Sequence, residues 1–245
     1  ELANLCEKSG IGVETPNKKG TLKVDLSFVY KCVKEILSYT KNKKIVVTKS
    51  TVPVGTGDEI EKILKKKKKL FSIISNPEFL REGEAIRDFR YPDRIVIGSN
   101  NKNEFNIMKK LYSPLISKGA KFFTTERSGA ELIKYAANAF LATKITFINE
   151  LANLCEKSGI DVEDVALGIG SDSRIGSRFL RAGPAYGGSC FPKDTKGLVS
   201  AAEKFKTNLS IVKSVIKSNQ DRVNLLTKRI HKILGNNLKN KKIGI

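Results

Sequence analysis

The chain has 245 residues, of which 40% are hydrophobic and 29% charged, a balance typical of a globular protein with a sizeable buried core. No apolar run approaches the ~18 residues of a transmembrane helix, and the opening ELANLCEKSG lacks the basic and apolar regions of a signal peptide, so we expect no membrane partner. The net charge of +20 comes without a recognisable nucleic-acid-binding module, so we expect solvated lysine-rich faces and no nucleic-acid partner, with polyanion binding as an alternative.

The segment ELANLCEKSGI occurs twice without change, at 1–11 and at 150–160. The second copy ends a long helical pattern, where Gly159 is a typical helix stop. No comparable pattern precedes the first copy. We therefore expect residues 1–11 to be a duplicated segment that is poorly anchored.

Helical and strand patterns alternate from about residue 25 to residue 127. Apolar spacing predicts a helix within 24–40 and further helices at about 57–68 and 102–112. Between these helices lie short runs rich in β-branched residues that predict strands: KIVVT (44–48), FSII (71–74) and RIVIG (94–98). This order predicts an α/β fold with a parallel sheet of three or four strands, whose ligands bind beyond the carboxyl ends of the strands.

From Ser128 the pattern becomes wholly helical and predicts an all-helical region over 128–235. Ser128 and Glu131 have capping-box spacing, so we expect Glu131 to cap a helix of roughly thirty residues. The segment VEDVALGIG predicts a second helix, and an irregular loop and two more helices follow it. The final segment NKKIGI (240–245) has the pattern of a strand that is cut short, so we expect residues 236–245 to be the start of a further domain.

The cysteines are scattered along the chain and are accompanied by a single histidine. They are Cys6, Cys32, Cys155 and Cys190. This spacing favours neither a metal site nor a disulfide framework, so we expect a cytoplasmic protein without a bound metal. Cys32 and Cys155 lie on apolar helix patterns and are expected in the core.

The segment AYGGSCFPKDT, residues 185–195, places Cys190 after two glycines and four residues ahead of Asp194. Gly187 and Gly188 would let a ligand approach the backbone closely, and Lys193 would favour a thiolate. If a helix begins near Pro192, Asp194, four residues after Cys190, could face the same site as the cysteine. The alternative is a small buried cysteine in a turn, and the residues alone leave both interpretations open.

Two pairs of charged or polar residues have helical spacing. Lys134 and Asn138 are four residues apart and would share one face of the long helix, and Glu78 and Glu82 have the same spacing after Pro77. The ordinary interpretation of each pair is a solvated helix surface. The functional interpretation is a set of side chains that face a ligand.

Four segments together resemble consecutive signature blocks of the nucleotide-sugar 6-dehydrogenases, the UDP-glucose/GDP-mannose dehydrogenase family. They are STVPVGT (50–56), NPEFLREGEAIRDFRYPDRIVIG (76–98), ELIKYAANAFLATKITFINELA (131–152) and SRIGSRFLRAGPAYGGSCFPKDT (173–195). The resemblance covers roughly residues 15 to 245 in family order. The serine before Cys190 makes the chain more similar to the UDP-glucose 6-dehydrogenases than to members that act on N-acetylated sugars, which tend to have histidine there. The segment FRYPDRIVIG resembles the UDP-glucose enzymes more than those that oxidise GDP-mannose, which stay an alternative.

The resemblance implies oxidation of UDP-glucose to UDP-glucuronate, for polysaccharide synthesis, with two molecules of NAD and a covalent intermediate on the cysteine. It implies catalytic roles for six residues: Cys190, Lys134, Asn138, Asp194, Glu78 and Thr51. NAD contacts are implied for Thr15, Thr51, Glu82 and Lys193. Substrate contacts are implied for Glu78, Phe79, Leu80, Arg81, Glu82, Lys134, Asn138, Arg174, Phe179, Leu180, Arg181, Ala182, Gly183 and Gly187. Arg174 would reach the substrate of a second subunit in a homodimer formed through the central helices.

The chain departs from the family pattern at both ends. It has no G-x-G-x-x-G turn, which in the family receives the NAD pyrophosphate at a helix N-terminus. We therefore expect an incomplete, Rossmann-like NAD-binding domain at 12–127, a helical dimerisation domain at 128–235, and only the start of a UDP-binding domain at 236–245. The alternative to an active dehydrogenase is an inactive remnant that folds and dimerises.

Overall fold

The computed structural model describes residues 24–64 and 70–235 together with residue 242. The predictions for residues 1–11, for Thr15 and for most of 236–245 lie outside the described residues, as does the end of the helix predicted at 57–68. The chain divides into two compact units, residues 1–136 and 137–245. The domain boundary expected between 127 and 128 stays a prediction.

The first unit is built from short strands and helices that alternate along the chain. Its helices are α1 (Ser27–Tyr39), α2 (Thr56–Ile63), α3 (Ala85–Arg90), α4 (Lys102–Leu111) and α5 (Ser113–Ile116), and α6 (Arg127–Ser158) begins in it. Its strands are β1 (Lys44–Thr48), β2 (Phe71–Ser75), β3 (Arg94–Gly98) and β4 (Lys121–Thr125). The predicted α/β fold is confirmed, and β1 and β3 have the predicted bounds.

The sheet has the order β1-β2-β3-β4 and is parallel except in the middle. β1 pairs with β2 in parallel from Lys44↔Phe71 to Thr48↔Ser75, and β3 pairs with β4 in parallel. β2 and β3 are antiparallel and meet at the single pair Ser75↔Gly98, so the prediction of a wholly parallel sheet was wrong at this junction. The connection from β2 to β3 contains only the six-residue α3, whereas the crossover between parallel strands is usually a longer helix.

Two apolar clusters lie on opposite faces of the sheet. Ile73 packs with Val29, Val33 and Ile60 of α1 and α2, whereas the next residue, Ile74, packs with Met108 and other residues of α4 and α5. Successive side chains of a strand point to opposite faces, so helices cover both sides of the sheet. The first unit is therefore a three-layer α/β/α arrangement.

The second unit is helical, as predicted. It contains the rest of α6 together with α7 (Val162–Gly170), α8 (Phe191–Lys204) and α9 (Ser210–Leu234). Ala142 of α6, Val215 of α9 and Tyr186 of the loop before α8 form a buried cluster. α6 ends where predicted, with Gly159 in the left-handed conformation at φ +72°. Among the described residues, no helix is long and apolar enough to cross a membrane.

The capping box expected at the start of α6 is not formed. The helix already begins at Arg127, so Ser128 lies within its first turn. The Glu131 carboxylate instead accepts hydrogen bonds from the backbone N–H groups of Gly55 (2.7 Å) and Gly57 (2.8 Å). A contact between distant segments has replaced the local one, and Glu131 connects α6 to the N-terminus of α2.

Candidate active site

Cys190 is the residue immediately before α8 and is exposed. Proline at the second helical position, Pro192, favours a helix start here, and the Cys190 carbonyl accepts the first helical hydrogen bond from Asp194 N–H at 2.8 Å. The Ser189 hydroxyl lies 3.6 Å from the Cys190 sulfur. The interpretation of Cys190 as a small buried hydrophobe was therefore wrong, and its thiol is accessible from solvent. Cys155 is buried as expected, and Cys32 is half-buried.

Asp194 lies in the first turn of α8 and is only 1% exposed. Its Oδ2 accepts a hydrogen bond of 2.6 Å from the side-chain amide of Asn138 on α6, which is itself buried. The ammonium group of Lys193 lies 3.3 Å from the other oxygen, Oδ1. No hydrogen-bond geometry accompanies that ion pair, so the Asn138 amide is the directional contact that fixes the Asp194 carboxylate. The structure thus brings Cys190, Asp194, Asn138 and Lys193 to one end of α8.

The loop that precedes Cys190 carries several of the predicted substrate contacts. Phe179 adopts φ +66°, a left-handed conformation that is costly for a residue with a bulky side chain. Its ring makes an edge contact with Phe191 at a centroid distance of 6.3 Å, and the adjacent Leu180 is buried. Arg181 and Gly187 are exposed, and Ala182 and Gly183 are half-buried.

Arg174 is exposed and pairs with Asp172 through its Nε and Nη2 atoms, the shortest distance being 2.6 Å. This pair holds the pKa of Asp172 below its ordinary range. Arg174 therefore lies at the surface of the second unit with its guanidinium turned to a carboxylate of its own chain.

In the first unit, Lys134 is buried at a cluster formed with the loop after β2. Its ammonium group lies 3.9 Å from Glu78 Oε1 and 5.4 Å from the centre of the Phe79 ring. The guanidinium carbon of Arg94 lies 3.9 Å from the same centre. The structure thus brings together Lys134, Glu78 and Phe79, and it adds Arg94, which the sequence did not identify. A buried ammonium group needs such electron-rich partners in place of water.

The structure also describes Leu80, Arg81, Glu82 and Thr51, the other residues of this unit for which the sequence predicted a role. Arg81 forms a two-pronged ion pair with Asp88, with Nη2 2.6 Å from Oδ1, and this arginine lowers the pKa of Asp88. Leu80 and Glu82 are exposed. Thr51 is buried just after β1, at the carboxyl end of the strand.

Glu131 forms a buried polar cluster that the sequence did not predict. Besides the two glycine N–H groups, its carboxylate accepts a hydrogen bond of 3.0 Å from the Ser75 hydroxyl at the end of β2. Burial raises the pKa of Glu131, and its hydrogen bonds from Gly57, Gly55 and Ser75 only partly oppose that effect. The carboxylate therefore occupies the N-terminus of α2, a position where a phosphate could otherwise bind.

Two family models match the chain and together cover most of it. Residues 3–116 match the UDP-glucose/GDP-mannose dehydrogenase family, NAD binding domain, and residues 128–221 match the central domain of the same family. The first match extends across β1, β2 and the loop with Glu78, and the second includes Asn138, Cys190 and Asp194. Both candidate clusters therefore fall within matched regions.

Curated relatives match over all or nearly all of this chain. A UDP-glucose 6-dehydrogenase of Rickettsia felis is 48% identical over 245 residues, which is 100% of this chain and 54% of the relative. A UDP-glucose 6-dehydrogenase of Rhizobium meliloti is 49% identical over 240 residues, 96% of this chain and 55% of the relative. The chain thus spans about half the length of the curated relatives it matches.

A solved structure supports the fold as well as the sequence match. The UDP-glucose dehydrogenase of the archaeon Pyrobaculum islandicum superimposes with a TM-score of 0.84 at 35% identity, covering 90% of this chain and 52% of that one. Sequence blocks, α/β fold and helical second unit thus agree with two family models and with close relatives, and the chain belongs to the UDP-glucose/GDP-mannose dehydrogenase family.

Proposed function

We propose that the chain oxidises the C6 alcohol of UDP-glucose to a carboxylate, with NAD as the hydride acceptor and Cys190 as the nucleophile. The observation that carries the proposal is the end of α8, where an exposed thiol lies one helical turn from a buried carboxylate that Asn138 holds in place. A nucleophile with a fixed acid or base beside it is the arrangement that covalent catalysis requires.

The described residues fit NAD in part. β1 and β2 are parallel, so their carboxyl ends share the edge where such sheets bind ligands, and Thr51 follows β1 there. The N–H groups at the start of α2 are taken by Glu131 and do not fit the pyrophosphate. The family resemblance adds Thr15, Glu82 and Lys193 to the residues that would hold NAD. When bound, NAD accepts a hydride from the substrate carbon, and two molecules in turn accept the four electrons.

The residues of the second unit account for the covalent steps. After the alcohol has lost a proton and a hydride, the Cys190 sulfur adds to the aldehyde carbon and the carbonyl oxygen takes a proton, which gives a thiohemiacetal. Loss of a second hydride and of that proton leaves a thioester. Asp194 then accepts a proton from water as the water oxygen attacks the thioester carbon. The carbon–sulfur bond breaks and Cys190 leaves as a thiolate, and the carboxylic acid that forms gives its remaining proton to solvent and becomes the carboxylate.

The first unit's cluster supports further roles that the family resemblance suggests. Lys134 would stabilise negative charge on the substrate oxygen, and the Asn138 amide would orient that oxygen. Glu78, 3.9 Å from the Lys134 ammonium group, would transfer protons, and Thr51 would position a water molecule. The backbone of 78–82 and of 179–183 would bind the nucleotide sugar.

We also propose a homodimer through the central helices. Phe140, Phe147 and Leu154 are exposed on α6 at intervals of seven residues, which places them along one side of the helix. Burial of this stripe against a second copy would remove it from water. A reducing compartment, the cytoplasm, suits a mechanism that needs a free Cys190 thiol, and Cys32, Cys155 and Cys190 are all free.

The test is to incubate the purified chain with UDP-glucose and NAD and to follow NADH by its absorbance. We expect NADH formation that Cys190→Ser abolishes and Cys32→Ser, a substitution outside the site, leaves unchanged. GDP-mannose in place of UDP-glucose distinguishes the two substrate classes. Absence of NADH from folded wild-type protein with either sugar would overturn the proposal and favour the inactive remnant.

A further inference from the structure

In the loop between α7 and α8, backbone groups form hydrogen bonds with side chains from two helices. Backbone N–H and C=O groups outside helices and strands need such partners where they are buried away from water. Tyr186, buried in this loop, uses both of its backbone groups on one side chain. Its N–H donates to Asn219 Oδ1 at 2.8 Å, and its carbonyl accepts from Asn219 Nδ2 at 3.0 Å. The Asn219 amide thus fixes Tyr186 through two bonds, in the way that a neighbouring strand would.

Gly183, three residues earlier, is held in the same way by two different side chains. Its N–H donates to Asn149 Oδ1 on α6 at 2.8 Å, and its carbonyl accepts from Arg222 Nε on α9 at 3.1 Å. Arg222 also donates to the backbone carbonyl of Asn149 at 3.1 Å and to Asn153 Oδ1. Arg222 therefore links α9, α6 and the loop, and it keeps all three in a fixed relation.

These contacts lie directly before the reactive cysteine. Gly187 and Gly188 follow Tyr186, and Gly188 adopts φ +72°; because glycine has wide backbone freedom, these two residues by themselves constrain Cys190 little. The Tyr186 ring, however, contacts the ring of Phe191, the residue after Cys190, at a centroid distance of 6.1 Å. Tyr186, which Asn219 holds on one side of the glycines, therefore packs against Phe191 on the other side of Cys190.

We propose that Asn219 and Arg222 are positioning residues for Cys190. They act through the loop backbone: Arg222, with Asn149, holds Gly183, and Asn219 holds Tyr186, whose ring keeps the start of α8 in place. The inference rests on the proposed role of Cys190 as nucleophile. Asn219 and Arg222 are three residues apart and so share one face of α9. Neither residue needs to touch the substrate for this role.

The test compares Asn219→Ala, Asn219→Asp, Arg222→Ala and Arg222→Lys with the wild type. The matched control is Lys217→Ala, because Lys217 is on the same helix and pairs only at the surface with Asp221 at 2.6 Å. The first readout is the rate at which iodoacetamide alkylates Cys190 in the folded protein, measured on the Cys190 peptide by mass spectrometry. This rate does not require turnover, so it tests positioning even if the proposed oxidation fails.

We expect Asn219→Ala and Arg222→Ala to change the alkylation rate of Cys190 by about fivefold or more, and to lower kcat on the order of 100-fold with a smaller change in KM. Arg222→Lys replaces the two donor nitrogens that Arg222 uses with one ammonium nitrogen, so it should recover part of the loss, and Lys217→Ala should match the wild type. A merely structural role would lower the urea midpoint and leave the alkylation rate of the folded protein unchanged. That outcome in variants with wild-type circular dichroism overturns the proposal. If an alanine variant does not fold, Asn219→Asp and Arg222→Lys decide by the same measurement.

Discussion

The side-chain amide of Asn138 donates a hydrogen bond of 2.6 Å to Oδ2 of Asp194, and both residues are buried within the second unit. A carboxylate removed from water is costly unless donors replace the water. Asn138→Ala removes the directional donor and leaves only the ion pair with Lys193 at 3.3 Å. We expect it to lower the free energy of unfolding by about 1–3 kcal/mol in urea titrations.

The surface pair of Lys217 and Asp221 provides the control for this measurement. Both partners are largely exposed, so Lys217→Ala should change the free energy of unfolding by about 0.5 kcal/mol or less. Equal stability of Asn138→Ala and wild type would show that the Asp194 carboxylate does not depend on this amide.

Two glycines of α7 differ in what surrounds them. A Cβ at Gly168 would meet nothing within 4 Å, whereas a Cβ at Gly170 would lie 2.9 Å from the backbone Cα of Ser177. Gly168→Ala should raise the free energy of unfolding by about 0.5–1 kcal/mol, because alanine loses less entropy in a helix. Gly170→Ala should lower it by about 1–3 kcal/mol through overpacking against the loop that leads to Phe179. Urea titration of the two variants checks both signs, and a Gly170→Ala protein as stable as Gly168→Ala would contradict the packing argument.

Much of the fold could be predicted because short β-branched runs and long apolar helical patterns are local properties of a sequence. β1, β3 and α7 are formed by the residues that the patterns indicated. β4, KFFTT, was missed because it is partly exposed along its length and lacks a buried run. The antiparallel junction of β2 and β3 depends on the path of the connecting loop, which residue periodicity does not encode.

For the candidate site, the sequence could predict contacts within one motif but not contacts between distant segments. The spacing of Lys134 and Asn138 placed them on one helix. Their partners, however, are each 56 residues away along the chain: Lys134 pairs with Glu78 on the loop after β2, and Asn138 bonds to Asp194 on α8. Glu131 was interpreted as a cap because capping-box spacing is a local signal, whereas its actual partners follow β1 and end β2. Contacts of this kind are set by tertiary packing, which outweighs local preference.

The Phe79 ring contacts two cations, Arg94 and Lys134, at 3.9 Å and 5.4 Å from its centre. Phe79→Leu keeps an apolar side chain but removes the negative ring face. We expect it to lower the free energy of unfolding by about 1 kcal/mol, since cation–π contacts contribute about 0.5–2 kcal/mol. Urea titration is the measurement.

Phe79→Tyr keeps the ring and should resemble the wild type. Phe123→Leu, at a half-exposed phenylalanine of β4, should change stability by about 0.5 kcal/mol or less. A Phe79→Leu protein with wild-type stability would contradict this account.

The Glu131 carboxylate accepts hydrogen bonds from Gly55 N–H, Gly57 N–H and the Ser75 hydroxyl in a buried position. Glu131→Gln keeps the shape but turns one acceptor oxygen into an NH₂ donor that faces an N–H group. A buried N–H group without an acceptor costs about 1–3 kcal/mol, so we expect the variant to be less stable than the wild type by about that amount. Glu150→Gln, at an exposed residue of the same helix, is the control.

The advantage of the wild type over Glu131→Gln should also depend on pH. Burial raises the pKa of Glu131, so the folded protein keeps its proton at pH values where the unfolded chain, with an ordinary glutamate pKa of about 4.3, has lost it. The folded state then binds more protons than the unfolded state, and stability falls as pH rises. The difference in unfolding free energy between wild type and variant should be largest below about pH 4 and should decrease until pH exceeds the raised pKa. Urea titrations of both proteins across that range measure it. A difference that grows with pH would mean that the three hydrogen bonds outweigh burial and that the carboxylate is the favoured form.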